Sequence, residues 1–263
     1  RPRSDMATLL AGVVVTCALG AVTFWSLSES RAPQQQPGVI RNALPPASPM
    51  GITPVPPAHM PMAPQAPAMV APVLAPHAGA GTQLVSILAG VDIASLRARF
   101  PNVGGVARLM PNLAAMVGRG VTLLHADDGA DRALAEALAA AAGHAEWLDD
   151  EGLFDAGTAL SGCGPAFLFR FIDALAAAGR DLGLAPDVAA RLALATVDGA
   201  ARFAAAADID PAALADRVAS PGGATREGLD VLDRVDGLKP LLDGTLRAAA
   251  QRSRELAEAA RKG

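Results

Sequence analysis

The spacing of apolar residues changes twice along this chain, and each change marks a boundary. From Ala7 to Leu27 no charged residue occurs, and Leu9, Leu10, Val13, Val14, Val15, Leu19, Val22, Phe24, Trp25 and Leu27 make an almost unbroken apolar run. About 20 apolar residues are enough to cross a bilayer as a helix, so residues 1–30 read as an apolar helical segment able to anchor the chain through 7–27. From Pro33 to Pro76 proline recurs throughout, as in Pro45-Pro46 and Pro56-Pro57. Proline lacks an N–H and disfavours helix in the residue before it, so residues 31–80 read as an extended, disordered linker with no core of its own.

Ordered structure is expected from about Gly81. Leu84 to Ala89 is a short apolar run closed by Gly90, the pattern of a buried strand. Ile93, Leu96 and Phe100 recur at i, i+3 and i+7, which predicts a short helix. Val106–Met110 and Val121–His125 predict two further strands, interrupted by Pro111-Asn112 and Gly118-Arg119-Gly120. Asp131–Ala142 carries Leu134 and Leu138 at i, i+4 and predicts an amphipathic helix. Strands alternating with helices assign residues 81–154 to part of an α/β, Rossmann-like sheet. From 155 to 263 only helical patterns remain: 164–179 opening with Pro165, 186–207, 211–218 with Asp210 as N-cap, 225–235 and 238–260. The fold class read from the pattern is thus an α/β remnant followed by an all-α domain.

Composition narrows the chemistry. The net charge is −4 with signs interspersed, and no basic stripe occurs, which argues against a nucleic-acid partner. Aromatics are scarce, with two Trp, seven Phe and no Tyr, so stacking on bases or sugars is not the expected binding mode. Cys17 and Cys163 lie far apart, and the four His are scattered without ligand spacing, so neither a disulfide framework nor a metal site is expected.

Two glycine-rich segments and a pair of strand ends carry the candidate chemistry. Asp155-Ala-Gly-Thr-Ala-Leu-Ser161-Gly162-Cys163-Gly-Pro-Ala-Phe167 sets small residues ahead of a proline-started helix. It reads as a tight loop whose N–H groups could meet a ligand, or equally as a close helix crossing. Ser220-Pro221-Gly222-Gly223-Ala224-Thr225 leads into another helix. Its glycines permit close backbone approach, the open N–H groups of the helix start favour an anion, and Thr225 adds a hydroxyl. The plain alternative is a glycine-rich helix connection capped by Thr225. Ala89-Gly90 and Pro111-Asn112 fall where strand ends would open at the carboxyl edge of a sheet.

Together these segments resemble the pyrroline-5-carboxylate reductase family. The resemblance runs from about Val73 to Glu255, through D-A-x-T-A-L-S-G, S-P-G-G-[TA]-T, S-I-x-A-G-V and R-x-M-P-N. It implies reduction of 1-pyrroline-5-carboxylate to L-proline with NADPH or NADH, the last step of proline biosynthesis. It implies a cytoplasmic homodimer or larger homo-oligomer built on the helical domain. By the same resemblance Thr225 contacts the ring nitrogen, and Ser220, Gly222, Gly223, Ala224, Ser161 and Gly162 belong to the substrate site. Ala89, Gly90, Pro111 and Asn112 would face the nicotinamide. Cys163 stands where the family usually has Ser.

The sequence departs from the family before Gly81, where no G-x-G-x-x-[AG] turn for the cofactor's pyrophosphate occurs and the lysine-proline strand end is missing. The departure sustains an alternative: a non-catalytic, reductase-like dimerisation scaffold, from a truncated or misjoined gene. A further alternative anchors the protein in a membrane through 7–27. An incomplete sheet leaves a strand edge unpaired, and such edges aggregate or recruit a partner. The isolated chain is therefore expected to be poorly soluble; a stable, soluble dimer in sedimentation velocity would contradict this.

Overall fold

A computed structural model describes residues 14–16 and 66–262. Val14–Thr16 (β1) lies parallel to Gln83–Ser86 (β2), and β2 lies parallel to Gly105–Pro111 (β3). β3 pairs antiparallel with Gly120–Ala126 (β4), and β4 pairs parallel with Gly143–Trp147 (β5). The result is a five-stranded mixed sheet in chain order. Ser86 sits opposite Arg108, so β2 and β3 end on the same edge of the sheet; β4 begins there, with Thr122 opposite Pro111.

Alternation along the strands divides the core in two. Leu84 and Val106 point to one face, where Leu88, Val91, Leu96, Phe100 and Val103 join them beneath Ile93–Arg99 (α2). Val85, Ala107, Leu109 and Leu124 point to the other, against Ala135 and Ala139 of Arg132–Ala140 (α3). A period of two on strands and a four-residue step on α3 produce both layers directly.

Four local readings are corrected by tertiary context. Val14–Thr16, inside the apolar run expected as a helix, is a strand on the edge of β2; a short apolar run fits either state, and an open strand edge selects one. The remainder of 7–27 lies outside the described residues. Ala66–Leu74 (α1), expected as disordered linker, is helical through Pro72, because Ala71 and Leu74 pack onto the Leu84–Leu88 cluster. Burial there offsets the hydrogen bond that Pro72 removes. The strand expected to reach Ala89 stops at Ser86, whose hydroxyl accepts from the Leu88 N–H at 3.3 Å and turns the chain. β5 lies outside the expected elements, although Gly-His-Ala-Glu-Trp alternates: Ala145 and Trp147 turn to the core, His144 and Glu146 turn outward, and the strand completes the sheet at its exposed edge.

The helical half begins earlier than the pattern suggested. Phe154–Gly157 (α4) runs into a π-helical turn at Thr158–Gly162, so the segment read as a tight loop or a close helix crossing is helical. Its amides are spent internally: the Cys163 N–H donates to the Thr158 carbonyl at 2.9 Å, and the Ser161 hydroxyl donates to the Gly157 carbonyl at 3.0 Å. Gly164–Asp181 (α5) and Pro186–Ala206 (α6) form an antiparallel hairpin, with Leu184 and Ala189 seated against Gly179 and only small residues (Ala176, Ala189, Ala193) fully buried. Pro211–Val218 (α7), Ala224–Leu232 (α8) and Leu238–Lys262 (α9) follow. Phe169, Phe171, Leu175, Leu192, Leu194 and Phe203 remain exposed within the single chain. Large apolar side chains left exposed in this number are the composition of a subunit interface.

The two halves are joined by a buried ion pair. Arg108 is 6% exposed, and its guanidinium contacts Glu151 at 2.6 Å and lies 4.2 Å from the centre of the Phe154 ring. Glu151 also accepts from the Ile93 N–H at 2.9 Å, at the start of α2. One carboxylate therefore holds β3, α2 and the segment entering α4. Removing it leaves Arg108 buried without a counter-ion, a change that costs about 3 kcal/mol or more. Glu151→Ala is expected to lower chemical-denaturation stability by that amount, and a variant within 0.5 kcal/mol of the parent would show the pair to be dispensable.

Candidate active site

The carboxyl edge of the sheet opens into a cleft of about 950 Å³ between the turn after β3 and the start of α5. This is within the size range of small-molecule sites. Leu113, Met116, Val117, Leu160 and Phe169 supply its apolar walls; Gly164 and Pro165 line its end. Its few polar groups are Asn112, Ser161, and the His144–Glu146 pair at 2.8 Å on β5.

Asn112 organises this cleft. Its side-chain oxygen accepts from the Ala114 N–H at 3.1 Å and the Val121 N–H at 3.2 Å, and its amide donates to the Ser161 carbonyl at 3.0 Å. The end of β3, the one-turn helix Leu113–Val117, the start of β4 and the π-helical turn are thereby fixed to a single side chain. One amide hydrogen of Asn112 is left for a ligand. Gly162 lies beside Met110 at the same place, and Cys163 is half-buried as a free thiol.

Ala89 and Gly90 lie at the end of β2, where a second cavity of about 180 Å³ is lined by Gly90, Asp92, Arg108, Glu151, Asp155 and Arg261. Gly90 has φ +75°, and a Cβ there would stand 3.2 Å from the Ala257 N of α9, so glycine is required twice over. Asp92 caps α2, accepting from the Ser95 N–H at 2.8 Å, and pairs with Arg261 at 3.0 Å. Burial opposes ionisation of Asp92, but the Ser95 hydrogen bonds and the Arg261 and Arg108 charges outweigh it and hold the carboxyl below its usual range.

The third segment is built differently. Gly222 has φ +70°, the Gly223 N–H donates to the Ser220 carbonyl at 3.0 Å, and the Ser220 hydroxyl stands 2.7 Å from where a Gly223 side chain would begin. No side chain caps α8, so the Ala224, Thr225 and Arg226 amides face outward, the arrangement that receives an anion. Arg226 is turned away to Asp216 at 2.7 Å, which ties α8 to α7.

The structure thus brings Asn112, Ser161 and Gly162 together at one cleft and places Gly90 at the neighbouring cavity. Pro111 is the residue that ends β3 ahead of Asn112. Among the described residues, no hydrogen bond or ion pair joins Ser220–Thr225 to either cavity. Sequence reasoning missed Glu151, Arg108 and Arg261, whose partners lie 43 and 169 residues away and leave no local signal. Asp92, directly before the apolar period of α2, is the N-cap signal of that helix.

For the dinucleotide that the resemblance implies, the described residues suit the nicotinamide end, with strand ends opening beside an apolar cleft. For the pyrophosphate, no G-x-G-x-x-[AG] turn follows a parallel strand among the described residues.

Residues 151–256 match the family described as pyrroline-5-carboxylate reductase dimerisation. The chain is 41% identical over 198 residues to pyrroline-5-carboxylate reductase of Pseudomonas aeruginosa, covering 74% of this chain and 72% of the relative. The solved pyrroline-5-carboxylate reductase of Coxiella burnetii superposes with a TM-score of 0.69 at 32% identity, over 73% of each chain. That of Plasmodium falciparum, solved with NADP bound, superposes with a TM-score of 0.63 at 27% identity, over 73% of this chain and 78% of the other.

Asn112→Ala removes three hydrogen bonds at once and is expected to destabilise the protein by about 2 kcal/mol. Asn112→Asp keeps the two acceptor bonds but sets a carboxylate oxygen against the Ser161 carbonyl, two acceptors with no hydrogen between them, so it is expected to destabilise as well. A denaturant midpoint for Asn112→Asp equal to the parent's would contradict this account of the cleft.

Proposed function

The chain belongs to the pyrroline-5-carboxylate reductase family, and on that premise we propose that it reduces 1-pyrroline-5-carboxylate to L-proline in the cytoplasm. The observation that carries this reading is a complementary pair: an apolar cleft at the sheet edge, and an uncapped helix start behind two glycines. The first suits the apolar ring of the substrate, and the second its carboxylate. NADPH or NADH, when bound, supplies the hydride.

This chain's residues then divide the work of binding and orientation. The Gly223 and Ala224 backbone, freed by Gly222 and supported by Ser220, holds the carboxylate at the positive end of α8. The Thr225 hydroxyl donates to the ring nitrogen. A C=N carbon is a better hydride acceptor when its nitrogen is hydrogen-bonded or protonated, so Thr225 is the catalytic contact. Asn112 and Ser161, with Gly162, shape the polar corner of the cleft. Ala89, Gly90 and Pro111 face the nicotinamide, and apolar walls keep water from the transferring hydride.

Ser220–Thr225 has no bond to the cleft of its own chain, and the exposed apolar faces of α5 and α6 lie unsatisfied. Both follow if a second copy packs against the helical half and brings its own Ser220–Thr225 segment over the cleft. The dimer is then the catalytic unit, and these apolar faces are its interface.

The test is turnover by the purified chain with synthetic 1-pyrroline-5-carboxylate, followed as NADPH oxidation. Thr225→Ala is expected to lower kcat/KM by about 100-fold, in line with loss of one transition-state donor, while sedimentation velocity shows the dimer intact. Unchanged kinetics in the variant would remove Thr225 from its role. No turnover, with no quenching of nicotinamide fluorescence at millimolar NADPH, would overturn the reductase reading.

A further inference from the structure

We propose that the last turns of α9 form a brace that sets the position of the Ala89–Gly90 turn, with Arg261 as a positioning residue for the nicotinamide edge. Ser253, Ala257 and Arg261 recur every four residues and so share one stripe of α9, about 12 Å long at the helical rise. Each meets a matched partner. The Ser253 hydroxyl donates to Asp155 at 2.6 Å. Ala257, the small member, lies against Gly90, whose absent side chain leaves just enough room. Arg261 closes the stripe on Asp92 at 3.0 Å.

The three partners lie close to the proposed nicotinamide edge. Gly90 and Asp92 belong to the turn between β2 and α2, and Asp155 opens the segment that leads through Ser161 to the cleft. The same turn is held from below, where Glu151 accepts from the Ile93 N–H and pairs with Arg108. Leu88 and Val91 on either side are packed into the cluster beneath α2, so the part of the span from Ile87 to Val91 left to α9 is Ala89–Gly90. Because Gly90 stands at φ +75°, that span has many alternative conformations to leave for. A 25-residue helix that begins shortly after α8 therefore ends as the lid of this turn.

The link to the nicotinamide rests on the reductase reading; the brace does not. The test is hydrogen–deuterium exchange on the full chain without cofactor, comparing the parent with Arg261→Gln, Arg261→Lys and Asp92→Asn. Asn is as good a helix cap as Asp, so Asp92→Asn removes the charge and keeps the cap. Arg261→Gln and Asp92→Asn are expected to raise exchange at Leu88–Val91 about three- to fivefold, as suits one partly exposed ion pair. Arg261→Lys should restore most of the protection, and exchange in α3 should stay unchanged throughout. Ala257→Leu, which drives a side chain into Gly90, should exceed both. Unaltered exchange at Leu88–Val91 in Arg261→Gln and Ala257→Leu would overturn the brace. In turnover, Arg261→Gln should raise the NADPH KM several-fold and leave the KM for 1-pyrroline-5-carboxylate in place. Faster exchange with an unchanged NADPH KM would overturn the positioning role. If the parent chain fails to bind NADPH, the reductase reading and with it the positioning role fall, and the exchange comparison alone decides the brace.

Discussion

The Arg108 guanidinium lies under the Phe154 ring with almost no access to water, and a charge so placed has to be matched where it lies. Glu151 matches it, and in doing so fixes where the helical half begins relative to the sheet. Its carboxylate faces β3 on one side and the first turn of α2 on the other. The Arg108 Nε is buried without a hydrogen-bond partner, so the pair is not an optimised source of stability. Its value is geometric. A hydrophobic contact could slide, whereas a buried arginine accepts one partner in one place.

What that anchor positions is the carboxyl edge of the sheet. Asn112 there joins three elements through one side chain, and Gly90 joins two through the lack of one. Both solutions serve the same need, a rigid floor made from chain segments that are irregular and would otherwise be loose. The helical half contributes little core of its own. Its fully buried residues are mostly alanines, and its large apolar side chains point outward. Stability of that half has to come from packing against another surface, which is the physical content of a dimerisation domain.

Much of the α/β layering and most of the helices were legible in the sequence. The strands β3 and β4 and the Pro211 start with its Asp210 cap are local signals, and local physics decides them, whereas the Leu134–Leu138 step read on α3 is not its buried one: Ala135 and Ala139 face the sheet and Leu138 is exposed. The motif segments were legible as well, because glycine at 90 and 222 answers to positive-φ backbone that other residues adopt only at a cost. The errors came where a local pattern fits two states. Val14–Thr16 and the helix at 66–74 were settled by an open strand edge and by an apolar cluster, neither of which exists until the sheet does. Gly-His-Ala-Glu-Trp became β5 because β4 offered a free edge and its own alternation turns Ala145 and Trp147 to the core. The segment 155–163 is helical because its small residues allow a π-helical turn against Met110 and Leu123.

By itself, then, the sequence determined which segments are strands and helices over most of the chain, which loops need glycine, and which family the motifs resemble. Those properties depend on neighbours a few residues apart. Only the tertiary structure decided that Glu151 answers Arg108, that Arg261 answers Asp92, and that Asn112 closes on Ser161 while Thr225 stands apart from all of them. Pairings between residues far apart in the chain depend on where rigid elements cross, and the side chains leave no periodic trace of it. A buried charge shows its need for a partner in its type, but the partner's identity is written only in space.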